Sequence, residues 1–314
     1  MMRLNTILIV LLICLLAVAS CQNVGDANPA HSTPPTPVNA VATSNDLTAV
    51  LKAIIDRAGG NAAVSVVHVE TGRGASINGS AKLPLYSVFK LPLAVAVLKD
   101  VEDKRLQIDQ VVHVTPADIV PGAPANTEMW RQPVDRTIAQ LIEVSIVRSD
   151  NTSSDKLTQL AGGPAAVTSR LRDMGFREIQ IQTTIREFAA TLQNHNTGSV
   201  NDLARLLVQL QKGELLQRAQ QDLIIGYMQA AHTGMRRIRG NLPSGTVVGD
   251  KTGSGETNKT TGKPNATNDV GLIKLPDGSH LAIAVFLSGS SLSDVEQEKV
   301  IADAARAAYD AFAK

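Results

Sequence analysis

The sequence predicts an α/β protein of two lobes: an antiparallel sheet built from both chain ends and flanked by helices, plus an all-helical lobe. Three observations predict it. Val-rich alternation marks strands early, at Ala62 to Glu70 and Ala75 to Ile77, and strand patterns return only late, from Thr246 to Leu287. Between them the apolar periodicity is largely helical. The 314 residues, 44% hydrophobic and 19% charged, suffice for one large domain or two lobes with an ample core.

Taken in order, the chain opens on a targeting pattern. Met1-Met2-Arg3 is a short basic region and Ile7 to Ala19 an apolar stretch. Residues 1–20 read as a signal peptide and 21–45, centred on Thr33-Pro34-Pro35-Thr36-Pro37, as an extended tether. Asp46 can cap a helix from Leu47 to Arg57, whose Leu47, Val50, Leu51, Ile54 and Ile55 recur at helical spacing, and Gly59-Gly60 stops it. Thr71-Gly72-Arg73-Gly74 turns the first hairpin. The helical middle is expected at Thr137 to Val147, Thr152 to Leu160, Ala165 to Met174, Val200 to Gln211 and Leu215 to Ala231. Thr246 to Asp250 runs as a strand into Lys251-Thr252-Gly253, and Pro276-Asp277-Gly278 joins two further strands. A last amphipathic helix covers Asp294 to Phe312. The expected lobes are 46–82 with 233–314 (α/β) and 83–232 (helical), and the seam between them is a natural place for a site.

The stretch that organises the chemistry is Ser87-Val88-Phe89-Lys90, at the entry to an Ala/Val/Leu-rich helix. A serine and a lysine three apart share one helix face. A lysine in apolar surroundings loses part of its preference for the charged form and can take a hydroxyl proton. Two bland readings stand beside this: Ser87 as a helix cap, and a chance match, because Ser153-Ser154-Asp155-Lys156 has the same spacing.

Composition narrows the partners. A net charge of +1 gives no electrostatic reason for nucleic acid, and 3% aromatics provide few stacking platforms. No two of His31, His68, His113, His195, His232 and His280 have a spacing that a zinc site would use, and no G-x-S-x-G elbow supports a Ser-His-Asp triad. The chemistry calls for no cofactor and no metal. A small molecule acting on a monomer is expected. Trp130, the one tryptophan, can wall a cleft or fill the core.

Three distant triplets choose between the serines: Ser87-Val88-Phe89-Lys90, Ser149-Asp150-Asn151 and Lys251-Thr252-Gly253. S-x-x-K, S-D-N and K-T-G in this order are the set of class A β-lactamases and penicillin-binding proteins. The chain resembles class A further in Gly234 to Pro243, Val248 to Gly253, Asn268-Asp269-Val270-Gly271 and Ala282 to Phe286. The insert Ser254 to Thr267 is similar to the branch with an extended loop after K-T-G. The resemblance implies hydrolysis of penicillins and cephalosporins through a Ser87 acyl-enzyme, giving antibiotic resistance. It implies Lys90 as base or proton relay, Ser149 as proton donor to the ring nitrogen, and Asn151 as ligand of the substrate's side-chain amide. Lys251, Thr252 and Ser254 would hold the carboxylate, with Arg237 as a clamp and Arg236 and Arg239 as its rivals. The backbone N–H groups of Ser87 and Ser254 would form the oxyanion hole.

One expected part departs from the pattern. The family's deacylating glutamate stands in E-x-x-L-N, whereas here Glu187 is the only carboxylate between Glu178 and Asp202, with Ala190-Thr191 where Leu-Asn is expected. Glu187 is therefore the candidate deacylation base. Without such a base the same site would make a slow-deacylating penicillin-binding protein or D-Ala-D-Ala carboxypeptidase, or a non-catalytic envelope lipoprotein. Val18-Ala19-Ser20-Cys21 resembles a lipobox, which implies lipidation of Cys21, a lipid anchor and a place in the bacterial envelope or periplasm.

Overall fold

Strands from the early and late parts of the described chain share one sheet. The computed structural model describes residues 45–258 and 260–313. The signal peptide, Cys21 and all of the tether but Asn45 lie outside the described residues. Helix α1 (Asn45–Asp56) leads into strands β1 (Asn61–His68) and β2 (Gly74–Ile77). A short β3 (Leu83–Pro84) and a 3-10 turn at Tyr86–Phe89 enter α2 (Lys90–Glu102). Strand β4 (Val111–Val114), α3 (Pro124–Glu128) and β5 (Val134–Thr137) follow, then α4 (Ile138–Val147), α5 (Asn151–Leu160), α6 (Pro164–Asp173) and α7 (Ile185–Thr191). After β6 (Thr197–Gly198) come α8 (Val200–Lys212) and α9 (Arg218–Gln229). The chain closes with β7 (Val248–Ser254), β8 (Ala266–Lys274), β9 (His280–Ser288) and α10 (Asp294–Phe312).

The main sheet has the order β2-β1-β9-β8-β7 and is antiparallel throughout. Strand β9 lies at its centre and is buried on both faces, which explains its unbroken apolar run. Leu281, Ile283, Val285 and Leu287 pack with Leu51 and Ile55 of α1 and Ile301 and Ala305 of α10. Ala282, Ala284 and Phe286 face the other way, into the core shared with α2, α4 and α8. The period-2 alternation of one strand therefore feeds two cores. Strand β7 is left at the sheet edge, where it can form one wall of a site.

The middle lobe is not all helical. It carries two small two-stranded sheets, β3-β6 and β4-β5, that the helical periodicity hides. These strands are two to four residues long, too short for alternation to register. Helix α7 was also unforeseen. It depends on a capping box in which Thr184 accepts from Glu187 N–H and Glu187 accepts from Thr184 N–H.

Candidate active site

Ser87 is held by its approach rather than by its side chain. Leu85 N–H donates to Asn196 O at 2.8 Å, beside the β3–β6 pair, and Asn268 Nδ2 donates to Pro84 O at 2.8 Å. Tyr86 then adopts φ 46°, a left-handed conformation uncommon for a bulky residue. This turns Ser87 into the 3-10 segment. The side chains at the caps of that segment and of α2 make no capping bond, since Leu85 and Phe89 occupy those positions. Ser87 is thus not a cap, and its half-buried hydroxyl has no hydrogen-bond partner among the described residues.

Lys90 opens α2 and is fully buried. Its Nζ donates to Ser149 O at 2.6 Å, Asn151 Oδ1 at 2.8 Å and Ser149 Oγ at 3.3 Å. Lys251 of β7, also fully buried, donates to Ser149 Oγ at 3.0 Å and to Thr252 O at 2.8 Å. One hydroxyl therefore bridges two buried lysines drawn from opposite walls. Burial pushes the Lys90 amine well below its usual range and the nearby Lys251 charge adds to this, against Asp150 and Asp155. Burial also lowers Lys251, to about 7, although Asp250 and Asp269 pull it back up. Those two acids lie on the face of β7 and β8 turned away from Lys251. Burial raises Asp250 to about 6, and burial together with the Asp250 charge raises Asp269 well above the usual carboxylate range.

Ser149 stands at φ 55° between α4 and α5. Asp150 caps α5, accepting from Ser153 N–H at 2.6 Å, and its other oxygen accepts from Trp130 Nε1 at 3.2 Å. Trp130 is thus a core residue, fully buried, and it fixes the loop from beneath. The rival pair is dismissed by the same geometry. Ser153 is buried and donates to Asp150 O, while Lys156 pairs with Asp118 at 2.7 Å.

Gly253 lets β7 pass against the serine turn. A Cβ there would lie 2.5 Å from Leu85 O, 3.0 Å from Val88 N and 3.2 Å from Ser87 N. Of the three arginines, Arg237 reaches this wall. It is buried, and Nη2 donates to Ser254 Oγ at 2.7 Å while Nη1 donates to Gly253 O and Asn268 O. Arg236 pairs with Glu298 at 2.6 Å, an acid that Arg237 Nε also meets at 3.3 Å, and Arg239 pairs with Asp250. Neither Arg236 nor Arg239 bonds to Ser254 among the described residues.

The profile of the beta-lactamase enzyme family matches residues 46–312. The chain belongs to the class A serine β-lactamases. It is 36% identical over 237 residues to extended-spectrum beta-lactamase PER-1 of Pseudomonas aeruginosa, covering 74% of this chain and 76% of that protein. Beta-lactamase VEB-1 of the same organism is 29% identical, over 86% of this chain and 92% of its own. Among solved structures, a beta-lactamase from Chitinophaga pinensis superimposes with a TM-score of 0.81 at 34% identity, covering 85% of this chain and 99% of that one. The TLA-3 extended-spectrum beta-lactamase gives the same score at 30% identity, over 86% and 99%. This class A β-lactamase hydrolyses β-lactams, and its two-lobed α/β fold is that of its relatives.

Glu187 is the residue that the fold of this β-lactamase does not bring to the lysine pair. It is exposed on α7, and its Oε2 accepts from Thr184 N–H at 2.8 Å. Nor does it pair with Arg186, whose guanidinium donates to Ala117 O and Ile119 O. Asp155, within the rival S-x-x-K copy, has a structural part of its own. Its carboxylate accepts from Ile185 N–H at 2.7 Å and Arg186 N–H at 2.9 Å, tying the start of α7 to α5. A polar residue on a helix face gives no sequence signal for such a tether.

Proposed function

We propose that Ser87 attacks the β-lactam carbonyl carbon and forms an acyl-enzyme. The Ser87 proton passes to neutral Lys90, and Ser149 delivers its proton to the ring nitrogen as the amide C–N bond breaks, taking the Ser87 proton from Lys90 in exchange. Water then cleaves the Ser87 ester, releasing the ring-opened acid and restoring the hydroxyl. The observation that carries this reading is Ser149 Oγ within hydrogen-bond reach of both Lys90 Nζ and Lys251 Nζ. Lys251, Thr252, Ser254 and Arg237 hold the substrate carboxylate, and Asn151 orients the side-chain amide. The close pass at Gly253 supports an oxyanion hole from the Ser87 and Ser254 backbone N–H groups. For deacylation, Asp150 and Asp155 have both oxygens engaged. Among the described residues Glu187 Oε1 accepts no hydrogen bond, and Glu187 is assigned the base.

Steady-state hydrolysis of a chromogenic cephalosporin tests the reading. Turnover abolished by Ser87→Ala is expected. A stable stoichiometric adduct would instead mark a slow-deacylating penicillin-binding protein, and no adduct a non-catalytic envelope protein.

The cellular setting is part of the same proposal. The basic Met1-Met2-Arg3, the apolar run to Ala19 and Val18-Ala19-Ser20-Cys21 support export, cleavage before Cys21 and its lipidation. The β-lactamase would then act as a lipid-anchored monomer in the bacterial envelope or periplasm, conferring antibiotic resistance. Incorporation of labelled palmitate lost in Cys21→Ala checks the anchor, and sedimentation of the tether-free enzyme checks the monomer.

A further inference from the structure

Two hydroxyls of the proposed carboxylate wall are each backed by a hydrogen-bond partner from behind. Ser254 Oγ accepts from Arg237 Nη2 at 2.7 Å. A guanidinium only donates, so the Ser254 O–H is left to point away from it. Thr252 Oγ1 has an equivalent neighbour in Thr233, whose Oγ1 lies 2.7 Å away. Among the described residues, Thr233 is the one side chain bonded to the Thr252 hydroxyl.

The loop is built to keep this contact. Gly234 has φ 68°, and a Cβ on it would lie 2.3 Å from Thr252 Cγ2. Arg237 N–H donates to Gly234 O at 2.8 Å, closing a turn that carries Thr233 at one end and Arg237 at the other. One turn therefore backs both hydroxyls, through a neutral hydroxyl at Thr252 and a charged donor at Ser254.

We infer that Thr233 is a positioning residue that fixes the Thr252 hydroxyl as a donor toward the substrate carboxylate. Either threonine can donate in the free pair. Facing an anion, only the order Thr233 O–H to Thr252 Oγ, then Thr252 O–H to carboxylate, turns a proton toward the negative charge. The reverse order presents a lone pair to it. A chain of bonds in one sense also strengthens its terminal donor.

This inference rests on the assignment of Thr252 to the carboxylate, so its test reads acylation, which needs no turnover. The second-order rate of Ser87 acylation by a fluorescent penicillin is measured for Thr233→Val, Thr233→Ala and Thr233→Ser, alone and combined with Thr252→Val. Expected are a five- to tenfold loss in the valine and alanine variants and a rate within twofold of wild type for serine. On the Thr252→Val background, Thr233→Val should add no further loss. The methyl ester of the same penicillin, which lacks the anion, should react equally with wild type and Thr233→Val. A Thr233→Val rate within twofold of wild type overturns the inference, as does a loss that persists with the ester or on the Thr252→Val background. A serine variant as slow as valine does so too. Wild-type protein that forms no adduct refutes the acyl-enzyme reading and this inference with it.

Discussion

Replacing Ser149 by alanine and by glycine separates the chemistry of its hydroxyl from the backbone that carries it. Ser149 stands at φ 55°, a conformation that costs an L-residue roughly 1–2 kcal/mol and glycine far less. Its Oγ lies 3.3 Å from Lys90 Nζ and 3.0 Å from Lys251 Nζ, so both variants remove the bridge. Lys90 keeps Ser149 O at 2.6 Å and Asn151 Oδ1 at 2.8 Å, so the amine stays in place. A positioned proton-transfer group is worth about 10²- to 10⁴-fold. We expect acylation of Ser87 to fall about 10³-fold in each variant, roughly 4 kcal/mol of barrier. Stability should separate them in the other direction. Glycine relieves the left-handed backbone and alanine does not, which after the greater freedom of unfolded glycine leaves about 1 kcal/mol or less in glycine's favour. That is a Tm difference of about 2–4 °C at most for a domain of this size. Stopped-flow acylation and thermal melts on the same preparations give both numbers. If glycine acylates within tenfold of wild type while alanine does not, the loss belongs to backbone strain. If both do, Ser149 carries no proton.

Three further perturbations bear on the site. Burial lowers the Lys251 amine to about 7; with its charged form holding the carboxylate as proposed, kcat/KM should decline as pH rises above about 7. Bound anion raises that pKa, so the decline in kcat should lie at higher pH, and Lys251→Arg should abolish the kcat/KM limb; a wild-type profile flat to high pH refutes this. Gly253→Ala places a Cβ 2.5 Å from Leu85 O, and the displaced serine turn should cost about 1–3 kcal/mol in a melt and at least about tenfold in acylation. In Glu187→Gln the amide oxygen can still accept from Thr184 N–H, so the melt should stay within about 0.5 kcal/mol while deacylation slows about 10²-fold or more and the Ser87 adduct accumulates in mass spectra. An unchanged kcat would remove Glu187 from the mechanism.

Most of the sheet was legible because long elements carry a period. The final helix falls where its pattern places it, at Asp294–Phe312, and β9 covers the expected apolar run. The β4-β5 pair was not legible, since the four-residue strand Val111–Val114 gives only two turns of alternation. In the site, the triplets located Ser87, Lys90, Ser149 and Lys251, but not how they connect. Side-by-side placement of Ser87 and Lys90 suggested a direct bond, whereas the Lys90 amine is held by Ser149 and Asn151. That difference is tertiary: a loop at φ 55° and a strand edge supply acceptors that no local spacing encodes. The sequence named Arg237 as the clamp but left Arg236 and Arg239 as rivals, because three near-adjacent arginines are told apart only by the direction the chain gives them, and Arg237 is the one that reaches Ser254.

Burying two lysines without an acid in direct contact costs stability unless other acceptors replace water. Here the acceptors are two backbone carbonyls, one amide oxygen and one shared hydroxyl. They differ in a way that matters for catalysis. Ser149 O, Asn151 Oδ1 and Thr252 O can only accept, so they fix the amines in space whatever the protonation state. Ser149 Oγ alone can accept from an ammonium and also donate to a neutral amine. In the proposed reaction, Lys90 that has taken the Ser87 proton can hand it on to Ser149 Oγ, the same hydroxyl that Lys251 backs from the opposite wall. A charged Lys251 occupies an Oγ lone pair and leaves the O–H free to turn between Lys90 and the leaving nitrogen. The burial that destabilises both charges also pushes the Lys90 amine well below its usual range, toward the base role proposed for it, so the strain of the site and its proposed chemistry have one origin.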